Sequence, residues 1–348
     1  MLQSRQDTAV VVLSYNGKQL HQDFFPELLQ ESEGRYDVFL IDNASTDDTA
    51  EFVRQQFPEV QIVTIPVNHG FANGYYEGLQ HIQAKYYILL SADFEITPGW
   101  FQPLYHLMEQ RSDLGAIQPK IKYYRDKKMF EYAGAGGGFI DRWGYLFCRG
   151  RIFFTLEEDK QQYDDSIETF WAGGGCMFVR AELYHQLGGL DKDLYAHMEE
   201  VDLCWRMHSA GYKIGYCAQS KVYHVGGGTL QKSNPHKTFL NFRNNRKLLR
   251  KNLTEQELKE IYTVRNRLDT LAAWVVFSKG NFEEAKAIKS GLKAYRDTIP
   301  KWDEKRKQNE QLKKTLSIGA PNKYGILNHS IIWSYYIKGI KKFSELKL

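Results

Sequence analysis

The chain has 348 residues, 43% hydrophobic and 25% charged, a balance that marks a folded, soluble globular protein and excludes a disordered or fibrous one. No stretch approaches the ~18 consecutive apolar residues of a membrane-crossing helix; the longest late one is "LAAWVVF", residues 271–277. The formal charge of +4 conceals two halves of opposite sign, with 22 Lys+Arg against 31 Asp+Glu in residues 1–240 and 24 against 11 in residues 241–348.

The opening "MLQSRQDTAVVVLSYNG" passes straight into an apolar run and carries no secretory pattern. Residues 8–15 read as a buried strand, residues 20–30 as a helix and residues 37–43 ("DVFLIDN") as a second strand. Ser45 and Thr46 ahead of acidic residues predict a capped helix over 45–57. Strands are expected over 60–66 and 85–91, with a helix over 74–83 between them. Continuous apolar strands alternating with helices predict a parallel sheet covered on both faces.

From about Gly115 the pattern becomes irregular and glycine-rich, with "YAGAGGGF" and "WAGGGCMF". Helical spacing returns over 200–210. Beyond "VYHVGGGTLQKSNP" the chain is basic and helical, with apolar residues at Phe282, Ala285, Ile288 and Leu292 expected to face inward. These shifts predict an α/β domain over 1–240 and a helical, basic region over 241–348 packed on it as an appendage. The four cysteines, Cys148, Cys176, Cys204 and Cys217, make no CxxC pair and each adjoins Phe, Met, Trp or Tyr. They read as buried free thiols in a reducing, cytoplasmic setting.

In parallel α/β sheets ligands sit at the carboxyl ends of the strands, and four such ends here are polar: residues 14–16, 42–43, 68–70 and 91–93. Any one of them could instead cap the helix that follows. "GAGGGF" is not the dinucleotide fingerprint, and no P-loop GK[ST] occurs. "LLSADFEITPGW" delivers Asp93 and Glu95 into a polar loop closed by Pro98 and Gly99, which suits a hard cation bridging phosphate oxygens, or a helix cap. His224 ends a short β-like stretch; it is either structural or, with Gly226, Gly227 and Gly228 free to fold over a phosphate or act as a flap, a ligand. "AHMEEVDLCWRMHSAGYKIGY" sets Glu199, Glu200 and Asp202 among Met198, Val201, Leu203, Cys204 and Trp205. This is a helix start complementing the macrodipole, or a general base at a pocket edge. Asp202, four residues before Arg206, predicts an i,i+4 ion pair.

"VVVLSYNG", "LIDNASTDDT", "NHGFANG", "LLSADFEITPGW", "WAGGGCMFVRAELYHQLGGLD", "EEVDLCWRMHSAGYKIGY" and "VYHVGGGT" follow one another over about residues 8–245 as in the family 2 glycosyltransferases. Within them the chain resembles the rhamnosyltransferase-like branch of bacterial cell-surface polysaccharide biosynthesis. The resemblance implies a GT-A type nucleotide-diphospho-sugar transferase fold, a Rossmann-like, mostly parallel sheet. It also implies a nucleotide-diphospho-sugar donor, Mg²⁺ or Mn²⁺ as cofactor, and inversion at the anomeric carbon. By position Ser14, Asn16 and Asp42 would contact the nucleotide. Asn68, Gly70, Phe71, Ala72, Asn73 and Ser91 would hold the nucleoside and sugar. Asp93 and His224 would hold the metal, Ser91 standing where the family often has Asp or Asn. Trp171, Gly174 and Gly175 would floor the sugar and acceptor site. Glu200 would be the base, in place of the family's Asp, with Glu199 hydrogen-bonded to the acceptor.

The family's acceptors, often lipid-linked glycans, and the aromatic and basic "IIWSYYIKGIKKF" (residues 331–343) predict an interfacial helix on an anionic membrane and a peripheral position on its inner face. No nucleic-acid partner is expected. The competing readings are a catalytically silent nucleotide-sugar-binding scaffold, favoured by Ser91, and a nucleotidyltransferase, for which "VVVLSYNGKQL" lacks the glycine-rich basic loop.

Overall fold

The computed structural model describes residues 1–226 and 234–347. Gly227 and Gly228, read above as part of a flap, lie outside the described residues.

Beside a separate short parallel pair, Leu2–Gln3 with Ile82–Gln83, the N-terminal part of the main sheet is made of β1 (Thr8–Ser14), β2 (Asp37–Asn43), β3 (Gln61–Ile65) and β4 (Tyr86–Ser91). They run parallel in the order β3–β2–β1–β4. Every residue of β1 and β2 is buried, which is why their sequences are apolar runs and not alternations. Helices α1 (Lys18–Gln30), α2 (Thr49–Gln56) and α3 (Phe71–Gly78) follow the first three strands. α2 starts four residues later than its sequence signals suggest, because Ser45 and Thr46 bond to Asn16 instead of capping it. α3 starts three residues earlier, where the Asn68 side chain accepts from the Gly70 N–H and Gly70 turns at φ 94°.

The sheet continues with β5 (Phe94–Ile96), β6 (Leu114–Tyr123), β7 (Ile167–Thr169), β8 (Cys176–Arg180) and β9 (Lys213–His224). β8 lies antiparallel between β4 and β6, β9 parallel to β6, and β7 and β5 antiparallel on β9. The result is a mostly parallel, mixed α/β sheet. Helix α4 (Phe101–Gln110) packs behind it. β6 carries Gln118, Pro119, Lys120 and Lys122 and so has no strand signature. Pro119 is tolerated because β9 bulges between Cys217 and Lys221, where the ladder needs no N–H. The glycine-rich middle folds into a second sheet of Gly138–Asp141, Leu146–Cys148, Arg151–Ile152, Thr155–Leu156 and Ile326–Leu327, the last from near the C-terminus. The four cysteines are free and buried.

Helices α5 (Ala181–Gln186) and α6 (Glu199–Ser209) precede β9. The C-terminal region is α7 (Pro235–Asn252), α8 (Glu255–Ser278), α9 (Phe282–Arg296), α10 (Ile299–Leu316) and the short α11 (Ile331–Tyr336). Ala285 and Ile288 face inward as expected and Leu292 is half-buried, but Phe282 is exposed. The opposite charges of the two halves meet at their junction. Lys251 lies 2.7 Å from Asp191 and 2.8 Å from Asp202, both buried, and Lys305 and Lys301 reach Asp191 and Asp193. Lys251, Lys301 and Lys305 of the basic region therefore find their anionic partners in the chain's own acidic half.

The 331–343 segment is not one continuous interfacial helix. Ile331, Tyr335 and Phe343 join the hydrophobic core, while Trp333, Tyr336 and Ile337 stay more than half exposed. Among the described residues, no helix is long and apolar enough to cross a membrane.

Candidate active site

The register of β1 and β2 pairs Ser14 with Asp42, which brings the first two polar strand ends together. Ser14 is buried and turns its hydroxyl onto His21, 2.7 Å away. Asn16, at φ 52°, bonds through its side chain to Thr46, and its N–H donates to Ser45 Oγ. Asp42 accepts from the Ser45 N–H. Next along, Asn43 Nδ2 donates to Asn68 Oδ1 at 3.1 Å and tethers the 68–73 segment. Gly70 faces the Tyr195 ring, where a Cβ would come 2.5 Å from it, and the Ala72 N–H donates to the Tyr195 carbonyl. The Phe71 ring meets Tyr75 edge-on, and Asn73 pairs along its own helix with Glu77.

Asp93 occupies the tight turn between β4 and β5, a strand where the sequence suggests only loop. Pairing of Phe94 with His224 sets the histidine beside it. His224 Nε2 stands 3.1 Å from Asp93 Oδ2, and the Phe94 ring stacks on the imidazole at 4.4 Å. On the other side Nδ1 lies 3.2 Å from buried Glu131 Oε1, near enough for an ion pair though out of line for a hydrogen bond. Burial alone would lower the His224 pKa; Glu131 and then Asp93 outweigh it and hold it at about 10. Burial would raise both carboxyls, but His224 keeps each below its ordinary value. Glu131 sits in a stretch without periodicity, 93 positions before its partner, and nothing in the sequence singles it out.

The "WAGGG" segment joins this cluster to the acidic pair. The Gly175 carbonyl accepts from the Ser91 N–H at 2.8 Å, and a Cβ on Gly175 would press on the Phe94 ring. A Cβ on Gly174 would stand 3.1 Å from Glu200 Cβ. Trp171 is 4% exposed, with its indole N–H bonded to the Phe139 carbonyl and Gly138 against its ring; it packs beneath the segment.

Glu199 and Glu200 open α6, each with an Oε2 that finds no hydrogen-bond donor. Burial pushes Glu200, half-buried by its surface, up to about 7, and raises Glu199 further, with the Glu200 charge adding to it. Asp202 differs: it is fully buried, bonded to Arg206 as an i,i+4 pair and also to Lys251 and Asn252. The pair is delivered by a turn in which Tyr195, His197 and Met198 all have positive φ, of 71°, 70° and 78°. Tyr195, at ψ −66° with the Ala196 N–H bonded back to the Leu194 carbonyl, is the strained form of γ-turn. Each such residue costs about 1–3 kcal/mol, and strain of this kind collects at functional sites.

Residues 9–188, just over half of the chain, match the family described as Glycosyl transferase family 2. The chain belongs to glycosyl transferase family 2. The family 2 chain is 24% identical over 233 residues to N-acetylglucosaminyl-diphospho-decaprenol L-rhamnosyltransferase of Mycobacterium tuberculosis, covering 62% of this chain and 75% of that one. It is 20% identical over 245 residues to the low-salt glycan biosynthesis hexosyltransferase Agl10 of Haloferax volcanii, covering 68% and 74%. Among solved structures, it superimposes on GalNAc-T7 with UDP, GalNAc and Mn²⁺ at a TM-score of 0.57 and 14% identity, over 85% of this chain but only 57% of that one. It also matches a Pyrobaculum calidifontis mannosyltransferase with GDP-Man and Mn²⁺, at a TM-score of 0.50 and 15% identity over 89% and 86%. These likenesses bear out the GT-A type fold, and with the family they make the chain a glycosyltransferase.

Proposed function

We propose that this glycosyltransferase moves a hexosyl group, with rhamnose the candidate sugar, from a nucleotide-diphospho-sugar to a hydroxyl of a growing, lipid-linked surface glycan, with inversion. Support for donor and acceptor comes from the family and from the names of its relatives. In this reading the Glu200 carboxylate takes the proton of the acceptor hydroxyl as its oxygen bonds to the anomeric carbon, while the bond from that carbon to the diphosphate oxygen breaks and the nucleoside diphosphate leaves. Glu199 orients the acceptor. Residues 1–240 carry the chemistry, and the 241–348 region supports them.

Asp93 in the turn and His224 at the end of β9 would hold the cation: the Asp93 carboxylate is an oxygen ligand as it stands, whereas His224 Nε2, 3.1 Å from it, would ligate only on losing the proton that Glu131 and Asp93 keep on the ring. That donor set fits Mg²⁺ or, better, Mn²⁺. No cluster of three or more His, Cys, Asp or Glu is present among the described residues, so oxygens of the diphosphate and water would fill the remaining positions. When bound, the cation would neutralise charge on the departing diphosphate.

The observation that supports the reading is the pair of consecutive glycines, Gly174 against Glu200 and Gly175 against Ser91 and Phe94, the residues on either side of which are the proposed base and the neighbours of the Asp93–His224 pair. The test is Glu200→Gln, with transfer measured from a panel of UDP-, GDP- and dTDP-hexoses to an N-acetylglucosaminyl-diphospho-lipid. Loss of transfer with donor binding intact is expected; near-normal turnover would remove the assignment. The silent-scaffold reading predicts no Mn²⁺-dependent hydrolysis of any donor in the panel by the unaltered chain.

We further propose that Trp333, Tyr336, Ile337 and the neighbouring lysines rest on an anionic membrane surface at the inner face of the cell membrane. The exposed aromatic and basic side chains there are the support.

A further inference from the structure

We propose that Arg243 and Asn244 of α7 are positioning residues that clamp the strained 195–198 turn and thereby fix the Glu199–Glu200 pair; the catalytic part of this inference rests on Glu200 being the base. Asn244 is completely buried, and its amide nitrogen lies 2.8 Å from the carbonyl oxygens of Leu194 and Ala196 and 2.9 Å from that of His197. Arg243 Nε donates to Asn244 Oδ1 at 2.9 Å, which settles which end of the amide faces the turn, and its Nη2 donates to the Leu194 carbonyl at 3.1 Å.

A turn with left-handed Tyr, His and Met relaxes unless its surroundings hold it. Its carbonyls converge on one point, where the backbone of the turn itself has only the Ala196 N–H to offer Leu194. Asn244 supplies the missing donors from a helix more than forty residues downstream. The turn touches the 68–73 segment through Tyr195 against Gly70 and Ala72 and leads directly into the acidic pair that begins α6. Holding it therefore sets the reach of Glu200 relative to the bound sugar. The C-terminal region thereby becomes part of the active site, and a chain cut near residue 240 would lack the clamp.

The test uses the full chain with Asn244→Asp, which keeps the shape but turns acceptor oxygens toward the three carbonyls. Two readouts are taken: hydrogen–deuterium exchange over residues 194–201, and kcat with donor KM for the best donor of the panel above. Faster exchange there, a fall in kcat of about ten-fold or more and a donor KM within about two-fold are expected. Unchanged exchange over 194–201, faster exchange with kcat unchanged, or a donor KM that rises in step with the loss of kcat would overturn the assignment. Should Asn244→Asp not fold, Arg243→Lys, which loosens the amide without removing it, is judged by the same criteria. Normal turnover in Glu200→Gln would remove the base alone, while exchange over 194–201 would still report the clamp.

Discussion

Gly174 lies against Glu200 so closely that a side chain there would reach to 3.1 Å between the two Cβ atoms. One face of a glycine segment is thus shaped to the start of α6, and its neighbour Gly175 to Phe94 beneath His224. Gly174→Ala must push α6 or the segment aside, an overpacking that costs about 1–3 kcal/mol. We expect kcat to fall by up to about a hundred-fold from misplacement of the base, with the thermal midpoint lowered only modestly; unchanged kcat would mean that Glu200 can shift freely.

The Glu200 carboxyl, raised by burial to about 7, has a defined consequence for pH. Below that value it holds its proton and cannot accept another. With donor and acceptor saturating, kcat should drop about ten-fold per pH unit below about 7. The same shift makes ionisation costly in the folded state, so this group's contribution to stability is lost as pH rises through about 7. Glu200→Gln should accordingly raise the unfolding temperature at pH 8. A lower one would contradict the burial argument.

Asp93 and His224 can be tested by binding rather than by turnover. Electron paramagnetic resonance of Mn²⁺ in the presence of UDP or GDP should show a bound ion for the unaltered chain and much weaker binding for Asp93→Asn and for His224→Gln. Equal binding by all three would place the cation elsewhere.

The buried network around Lys251 makes a stability prediction. Lys251→Met strips a partner from both Asp191 and Asp202, and breaking a buried pair costs about 3–5 kcal/mol, readable as a lowered urea midpoint. Burial opposes ionisation of both carboxyls, but Lys251 and Lys305 at Asp191, and Arg206 and Lys251 at Asp202, hold them below the usual range. Their contribution is therefore present at neutral pH and lost as pH falls below about 4. The Lys251→Met chain should show a smaller acid loss.

For the membrane surface, substitution is preferable to truncation, because Leu327, Ile331, Tyr335 and Phe343 are core residues. Trp333→Ser with Ile337→Ser should leave the thermal midpoint unchanged and reduce flotation with phosphatidylglycerol vesicles. Undiminished flotation would exclude this patch.

Much of the fold is written locally. The apolar runs of β1, β2 and β4 announce a sheet buried on both faces, and the polar residues that end them single out the edge where a ligand is proposed. The order of the motif blocks likewise points to Glu200, Asp93 and His224. β6 escapes notice because buried Gln118, Lys120 and Lys122 and the bulge opposite Pro119 depend on neighbours far along the chain. Phe282 was legible as a core position only on its own helix; the helices packed around it leave it outside.

By itself the sequence determined the four parallel strands of residues 8–91 and the three helices between them, and which carboxylates and histidine are candidates for chemistry, because periodicity and strand-end polarity act over a few residues. Tertiary structure alone decided that Glu131 backs His224, that Asn244 holds the turn before Glu199, and that Lys251 of the basic region lies between Asp191 and Asp202. These contacts join residues tens of positions apart or more. Charge and hydrogen-bonding capacity can be counted along a chain, but a partner exists only once folding has brought two such groups within a few ångströms.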